Sequence, residues 1–207
     1  MPQTSIRLPA QTEIILASGS PRRKELLEQI GLPFSVVVSG ADETVDEGLS
    51  PEFLVQSLSL LKAADVAGTQ DKTALVIGAD TVVALSGEIL TKPENEEDAK
   101  NMLRRLSGTS HSVFTGVTVF RVRDGKSVSI TEETKVYFKP LTEKEIEAYV
   151  RTKEPLDKAG AYGVQGLGGL FVEKIEGDYY NVVGLPLARL GRLLQEEFDI
   201  ELIWEVK

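Results

Sequence analysis

The chain has 207 residues, 42% hydrophobic and 27% charged, which suits one α/β domain with its own core and excludes a disordered or fibrous protein. It has no cysteine, so disulfide frameworks and thiolate metal sites are out, and a net charge of −9 opposes binding a nucleic-acid polymer through a broad basic face. No stretch approaches the ~20 apolar residues of a membrane span, and Met1 to Glu13 lacks the apolar centre of a signal peptide, so a cytoplasmic protein is expected. An anionic small molecule can still bind, given a local cluster of cations or a bridging metal.

After the polar lead-in, residues 1–13, the apolar run Ile14 to Ala17 reads as a buried strand, broken at Ser18-Gly19-Ser20-Pro21. Pro21 opens a helix with Leu26, Leu27 and Ile30 on one face, stopped by Gly31. Phe34 to Val38 is the next strand. A helix from about Pro51 to Ala67 follows, with Phe53, Leu54, Leu58 and Leu61 as its apolar stripe.

Ala74 to Ala79 is an apolar strand ending in Asp80; Thr81 to Leu85 then turns at Ser86-Gly87 into Glu88-Ile89-Leu90. Acidic residues from Glu94 to Asp98 start a helix running to about Leu106, where they complement the helix dipole. Two long β-runs, Ser112 to Arg123 and Ser127 to Lys139, join at Asp124-Gly125. Thr142 and Glu145 form a capping box for a helix toward Thr152. A segment with five glycines, Ala159 to Gly169, leads to a hairpin (Leu170 to Ile175, Tyr179 to Val183) and a last helix from Pro186 to about Phe198. Strands and helices that do not strictly alternate predict an α/β fold with a mixed, partly antiparallel sheet flanked by helices, in a single domain spanning residues 1–207.

Three segments carry chemistry. In Ser18-Gly19-Ser20-Pro21-Arg22-Arg23-Lys24, small residues, free amides at a helix start and three cations within one turn make an anion site. An ordinary strand-to-helix turn with solvated charges has the same local pattern. It is not a Walker A loop, because the spaced glycines and the Gly-Lys-Ser/Thr ending are absent. In Gly78-Ala79-Asp80-Thr81, Asp80 stands where open α/β sheets bind ligands, able to hold a metal, act as a general base, or merely cap a turn. Glu43, after the second strand, is a second carboxylate; two such groups can hold a hard cation such as Mg²⁺, while Lys92 can neutralise charge on a transferring phosphate. Taken singly, Glu43, Lys62 and Lys92 are more often solvated surface residues. The third segment, Glu154 to Gly166, packs glycines around Lys158 and Gln165; its backbone is suited to closing over a ligand, and the Gln165 amide to pairing with a base edge.

His111 is the chain's one histidine, so no His-based metal cluster is available, and it is expected to be structural. Tyr162, Tyr179 and Tyr180 are expected in the core rather than as base platforms, and Trp204 against the body of the protein.

Leu16 to Arg23, Ile77 to Val83, Lys92-Pro93, Leu103 to Gly116, the EPLDKAGAYGVQGLGG run from Glu154 to Gly169, and Asn181 to Pro186 together resemble the signature segments of Maf proteins, in order, from about Ile14 to Phe198. That resemblance implies a nucleoside-triphosphate pyrophosphatase with a fold like the inosine-triphosphate pyrophosphatases and a central cleft. It implies Asp80 as proton acceptor, Glu43, Lys62 and Lys92 as further polar active-site positions, and Ser18 and Arg23 as the phosphate-binding start; Lys158 of the glycine-rich segment is a further candidate for binding substrate. Arg22, Thr81 and Gln165 match the dTTP/UTP branch; the 7-methyl-GTP branch carries an aromatic residue in place of Arg22. The expected mechanism has Mg²⁺ or Mn²⁺ held by Glu43 and Asp80, while Asp80 deprotonates a water that attacks the α-phosphorus. Because Maf proteins are also linked to inhibition of septum formation, a nucleotide-binding regulator without turnover is the alternative. A homodimer is the base-rate arrangement, and no residue pattern demonstrates it.

Overall fold

The computed structural model describes residues 4–8, 11–43, 48–200 and 202–206, with the side chains of 4, 5, 7 and 203–206 left out. The elements are β1 (Thr4–Arg7), β2 (Glu13–Leu16), α1 (Pro21–Gln29), β3 (Ser35–Val36), α2 (Pro51–Ala67), β4 (Ala74–Leu85), β5 (Glu88–Leu90), α3 (Glu96–Leu106), β6 (Ser110–Arg121), β7 (Ser127–Phe138), α4 (Glu143–Arg151), three 3₁₀ turns between residues 154 and 171, β8 (Val172–Glu176), α5 (Tyr179–Val183), α6 (Leu187–Phe198) and β9 (Ile203–Val206). Seven strands form one sheet in the order β3-β2-β4-β6-β7-β8, with β5 on β4. Parallel pairing of β2 with β3 and β4, and antiparallel pairing of β4 with β5 and of β7 with β8, make it the mixed sheet that the sequence predicts.

The chain divides into two compact units, one of Met1–Asp80, Thr115–Thr131 and Gly184–Lys207, the other of Thr81–Phe114 and Glu132–Val183. In the first, Ile15, Ala17, Ala63, Val66, Ala67, Ala74 and Val76 form a core. Helix α2 approaches the strands closely because glycines face it: a Cβ on Gly78 would lie 2.2 Å from the Ser59 carbonyl oxygen, and one on Gly116 2.2 Å from that of Val55. The Ser59 and Thr118 hydroxyls pair at 2.8 Å in the same buried seam. In the second unit, α3 and α4 pack over a core that includes Leu103, Val136, Phe138, Ile146 and Phe171. Thr142 and Glu145 close the capping box of α4, as the sequence predicts.

Several expectations are corrected. Residues 4–7 of the lead-in form β1, paired antiparallel with β9. Tyr179–Val183 is a short helix, and β8 pairs with β7, so the expected terminal hairpin does not form. Apolar residues at Tyr180, Val182 and Val183 fit a helical turn as well as a strand, and β7 offers β8 a long edge. The second expected strand shrinks to two residues. On α2, Leu54 and Leu58 are buried as expected, but Phe53 is 61% exposed and Leu61 38%, and Val55, Ser59, Ala63, Val66 and Ala67 complete the buried face in their place. Small residues set that face because it meets backbone at Gly78 and Gly116. Asp80 does not end a strand; β4 continues to Leu85. The Trp204 side chain lies outside the described residues.

Candidate active site

In the first unit, three parallel strands deliver the site. The β2–β4 pairing covers Ala74 to Ile77, and the Ala17 amide adds a last bond to the Ile77 carbonyl at 2.8 Å. Asp80 therefore lies on β4 just past the end of β2, where the chain turns through Ser18 into α1; Glu43 follows β3. Backbone at the carboxyl ends of parallel strands is the usual ligand position in such sheets.

Ser18 and Arg23 are both buried. The Arg23 Nη1 donates to Ser18 Oγ at 3.1 Å and Nε to the Gly184 carbonyl at 2.8 Å, while the Ser20 amide donates to Ser18 Oγ at 3.2 Å. Burial pushes the Arg23 guanidinium below its ordinary pKa; the charges of Asp80 and Glu43 work in the other direction, and Arg22 adds to the lowering. Lys62, with its side chain 11% exposed, projects from α2 and bridges the two carboxylates: its Nζ lies 2.6 Å from Asp80 Oδ1 and 3.0 Å from Glu43 Oε2. The close approach of α2 at Gly78 sets this reach, because Lys62 is one turn beyond Ser59. The first unit thus gathers Ser18, Arg22, Arg23, Glu43, Lys62 and Asp80.

Two carboxylates that share one ammonium converge on a single cation position, and all-oxygen donors suit a hard divalent ion. Among the described residues no group of three or more His, Asp or Glu side chains could itself hold a metal. Such an ion would take its remaining ligands from water and phosphate, as Mg²⁺ ordinarily does.

The other named residues belong to the second unit. Thr81 is half-buried on β4, and Lys92 is exposed just after β5. Lys158 is tied within its own loop, its Nζ donating to the Glu154 carbonyl and to Asp157 Oδ1, each at 2.6 Å. Gln165 is exposed on a turn closed by the Gly166 amide donating to the Gly163 carbonyl at 3.3 Å. His111 is buried and its Nε2 pairs with Tyr162 Oη at 2.8 Å, inside an aromatic cluster with Phe138. Tyr162 is in the core, whereas Tyr179 is 42% exposed.

The sequence pattern of the Maf-like protein family matches residues 13–197. The chain belongs to the Maf family. It is 54% identical to a dTTP/UTP pyrophosphatase of Bacillus cereus (strain G9842) over 91% of this chain and 97% of that one, and 50% identical to a dTTP/UTP pyrophosphatase of Alkaliphilus metalliredigens (strain QYMF) over 92% and 98%. Among solved structures it is similar to a nucleoside-triphosphatase / dITP/XTP pyrophosphatase from Mycobacterium abscessus, with a TM-score of 0.44 and 14% identity over 91% of this chain and 95% of that one.

Two supports of this Maf site are absent from the sequence reading. Asp65, three residues beyond Lys62 on α2, accepts from Ser39 Oγ at 2.7 Å and from the Gly40 amide at 2.9 Å, and so anchors the loop that carries Glu43. Helical spacing from Lys62 is the signal that could have found it. The Gly184 carbonyl under Arg23 lies in the Asn181 to Pro186 segment that the sequence marks, but its pairing with Arg23 had no such signal, because a backbone carbonyl carries no residue-type information.

Proposed function

We propose that this Maf chain is a cytoplasmic pyrophosphatase that hydrolyses dTTP and UTP to the nucleoside monophosphate and pyrophosphate, with Mg²⁺ or Mn²⁺ held by Glu43 and Asp80. The observation that carries this reading is the convergence of Glu43, Lys62 and Asp80 beside the buried Arg23. The printed activity of relatives 50% and 54% identical over nearly their full length supports the substrate assignment.

Asp80 takes a proton from a water whose oxygen bonds to the α-phosphorus. The bond from that phosphorus to the α,β-bridging oxygen breaks, and pyrophosphate leaves with the electron pair. Lys62 orients Asp80 through its short ion pair and keeps Glu43 beside it. Ser18, the amides that follow it and Arg23 seat phosphate oxygens, and Lys92 supplies a further cation for the charge on the leaving group. When bound, the divalent ion polarises phosphate oxygens as a Lewis acid. Arg22, Thr81 and Gln165 select the nucleotide. Lys158, whose ammonium is tied to the Glu154 carbonyl and to Asp157, serves the substrate-binding loop.

The test is to incubate the protein with dTTP, UTP, CTP, GTP and ATP plus Mg²⁺ and identify the products. Pyrophosphate with dTMP or UMP is the expected outcome; tight binding without products, or orthophosphate with a diphosphate, would overturn the reading. Asp80→Asn should retain nucleotide affinity and lose turnover by roughly 10²–10⁴-fold, the usual cost of removing a positioned general base.

A further inference from the structure

The glycine-rich segment is held by one carboxylate and one phenol. Glu154 Oε1 accepts from Tyr149 Oη at 2.9 Å and from the Gly168 amide at 3.3 Å, while its Oε2 accepts from the Leu167 amide at 3.1 Å. Tyr149 Oη in turn accepts from the Gly163 amide at 3.1 Å. The two side chains therefore pin backbone on both sides of the turn from Gly163 to Gly166, and Gln165 is that turn's third residue.

The glycines record the same arrangement. A Cβ on Gly166 would lie 2.3 Å from Glu154 Oε1, and one on Gly168 2.6 Å from Tyr149 Oη. These positions lack side chains because the carboxylate and the phenol occupy the space. Tyr149 is itself fixed, 3% exposed and edge-on to Phe171 at 5.0 Å between ring centroids. Gln165 is exposed, yet the backbone on either side of it is anchored to buried groups.

We propose that Glu154, backed by Tyr149, is the positioning residue that aims Gln165, and that it thereby sets the preference for dTTP and UTP. This rests on the reading above in which Gln165 selects the nucleotide. An amide that must both donate to and accept from a base edge discriminates only if its orientation is fixed. A charged acceptor holding two backbone amides supplies that fixity, and such hydrogen bonds are stronger than neutral ones.

The experiment uses the full-length chain and the variants Glu154→Gln, Tyr149→Phe and Gln165→Ala, with the double variant Glu154→Gln/Gln165→Ala. Steady-state kcat and KM are measured for dTTP, UTP, CTP and GTP, and amide hydrogen exchange is followed across residues 163–168. Glu154→Gln, which removes the charge from the acceptor of the Leu167 and Gly168 amides, and Tyr149→Phe, which removes the hydroxyl's bonds to Glu154 and Gly163, should each raise KM for dTTP and UTP by at least roughly tenfold, with kcat changed by less than about threefold. Their preference over GTP should fall to that of Gln165→Ala, the double variant should be no less selective than either single one, and exchange at 163–168 should quicken. Selectivity lost in Gln165→Ala but kept in Glu154→Gln and Tyr149→Phe, or unchanged exchange, overturns the positioning role. An equal loss for every nucleotide also overturns it, since that is what a merely structural residue would give. Selectivity kept in Gln165→Ala overturns the assignment of Gln165, and the selectivity role of Glu154 with it.

Discussion

At the scale of single residues, His111 shows how burial becomes a pH dependence. Enclosure among Phe138 and Tyr162 drives the imidazole from its ordinary 6.5 down to about 4. Between those values the unfolded chain binds a proton that the native protein refuses, so stability falls as the pH drops through that window. Above it neither state is protonated and the effect vanishes; below it the loss is complete, at roughly 3 kcal/mol. Urea unfolding at pH 7 and pH 4.5 should therefore show a larger loss in the wild type than in His111→Phe, by roughly 2 kcal/mol, since pH 4.5 is still inside that window. Identical losses would remove His111 as the cause. Lys62 makes a different point at the same scale. It falls at helical spacing with Val55, Ser59 and Val66, in the middle of the buried face of α2, and a cation there needs a partner. The resemblance marked it as an active-site position, but neither its place on that face nor its pairing with Glu43 and Asp80 was read from the sequence.

Among the elements, the seam between α2 and the strands decides most. Helix and strand backbones meet at Gly78 and Gly116 with no room for a methyl group. Gly78→Ala and Gly116→Ala should each destabilise the protein by at least about 1–3 kcal/mol, the usual cost of overpacking. Gly78→Ala should also depress turnover of the folded fraction, because Lys62 would be displaced from Asp80. Gly48→Ala, with nothing within 4 Å of the added carbon, is the control and should leave the denaturation midpoint nearly unchanged. Local signals predicted most of the elements: Pro21 and Pro51 at helix starts, the Ser86-Gly87 and Asp124-Gly125 turns, and the capping box at Thr142. They failed at Tyr179 to Val183, where five residues are too few for one period to outweigh another.

For the chain as a whole, residues near the two ends pair with each other. Strand β1 lies antiparallel to β9, with Ile6 buried and its amide donating to the Gly31 carbonyl at 3.2 Å. Deleting residues 1–8 should lower the unfolding free energy by roughly 2–4 kcal/mol, the sum of one buried isoleucine and a short ladder, and leave turnover per folded molecule within about twofold. Urea titration alongside pyrophosphate release checks both halves of that statement. A loss of turnover without a loss of stability would give the lead-in a part in the chemistry.

The sequence by itself determined the mixed α/β class, the positions of most helices and turns, and the residue types able to serve a triphosphate, because these follow from local periodicity, turn chemistry and side-chain charge. Only the tertiary structure decided which charges meet. Lys62 bridges Glu43 and Asp80 because two glycines let α2 sink onto the sheet, Arg23 rests on the carbonyl of Gly184, and Lys158 turns inward onto its own loop. The Lys62 and Arg23 pairings join residues distant in the chain, and Arg23 and Lys158 rest on backbone carbonyls that carry no residue-type signal, so packing in three dimensions fixes them.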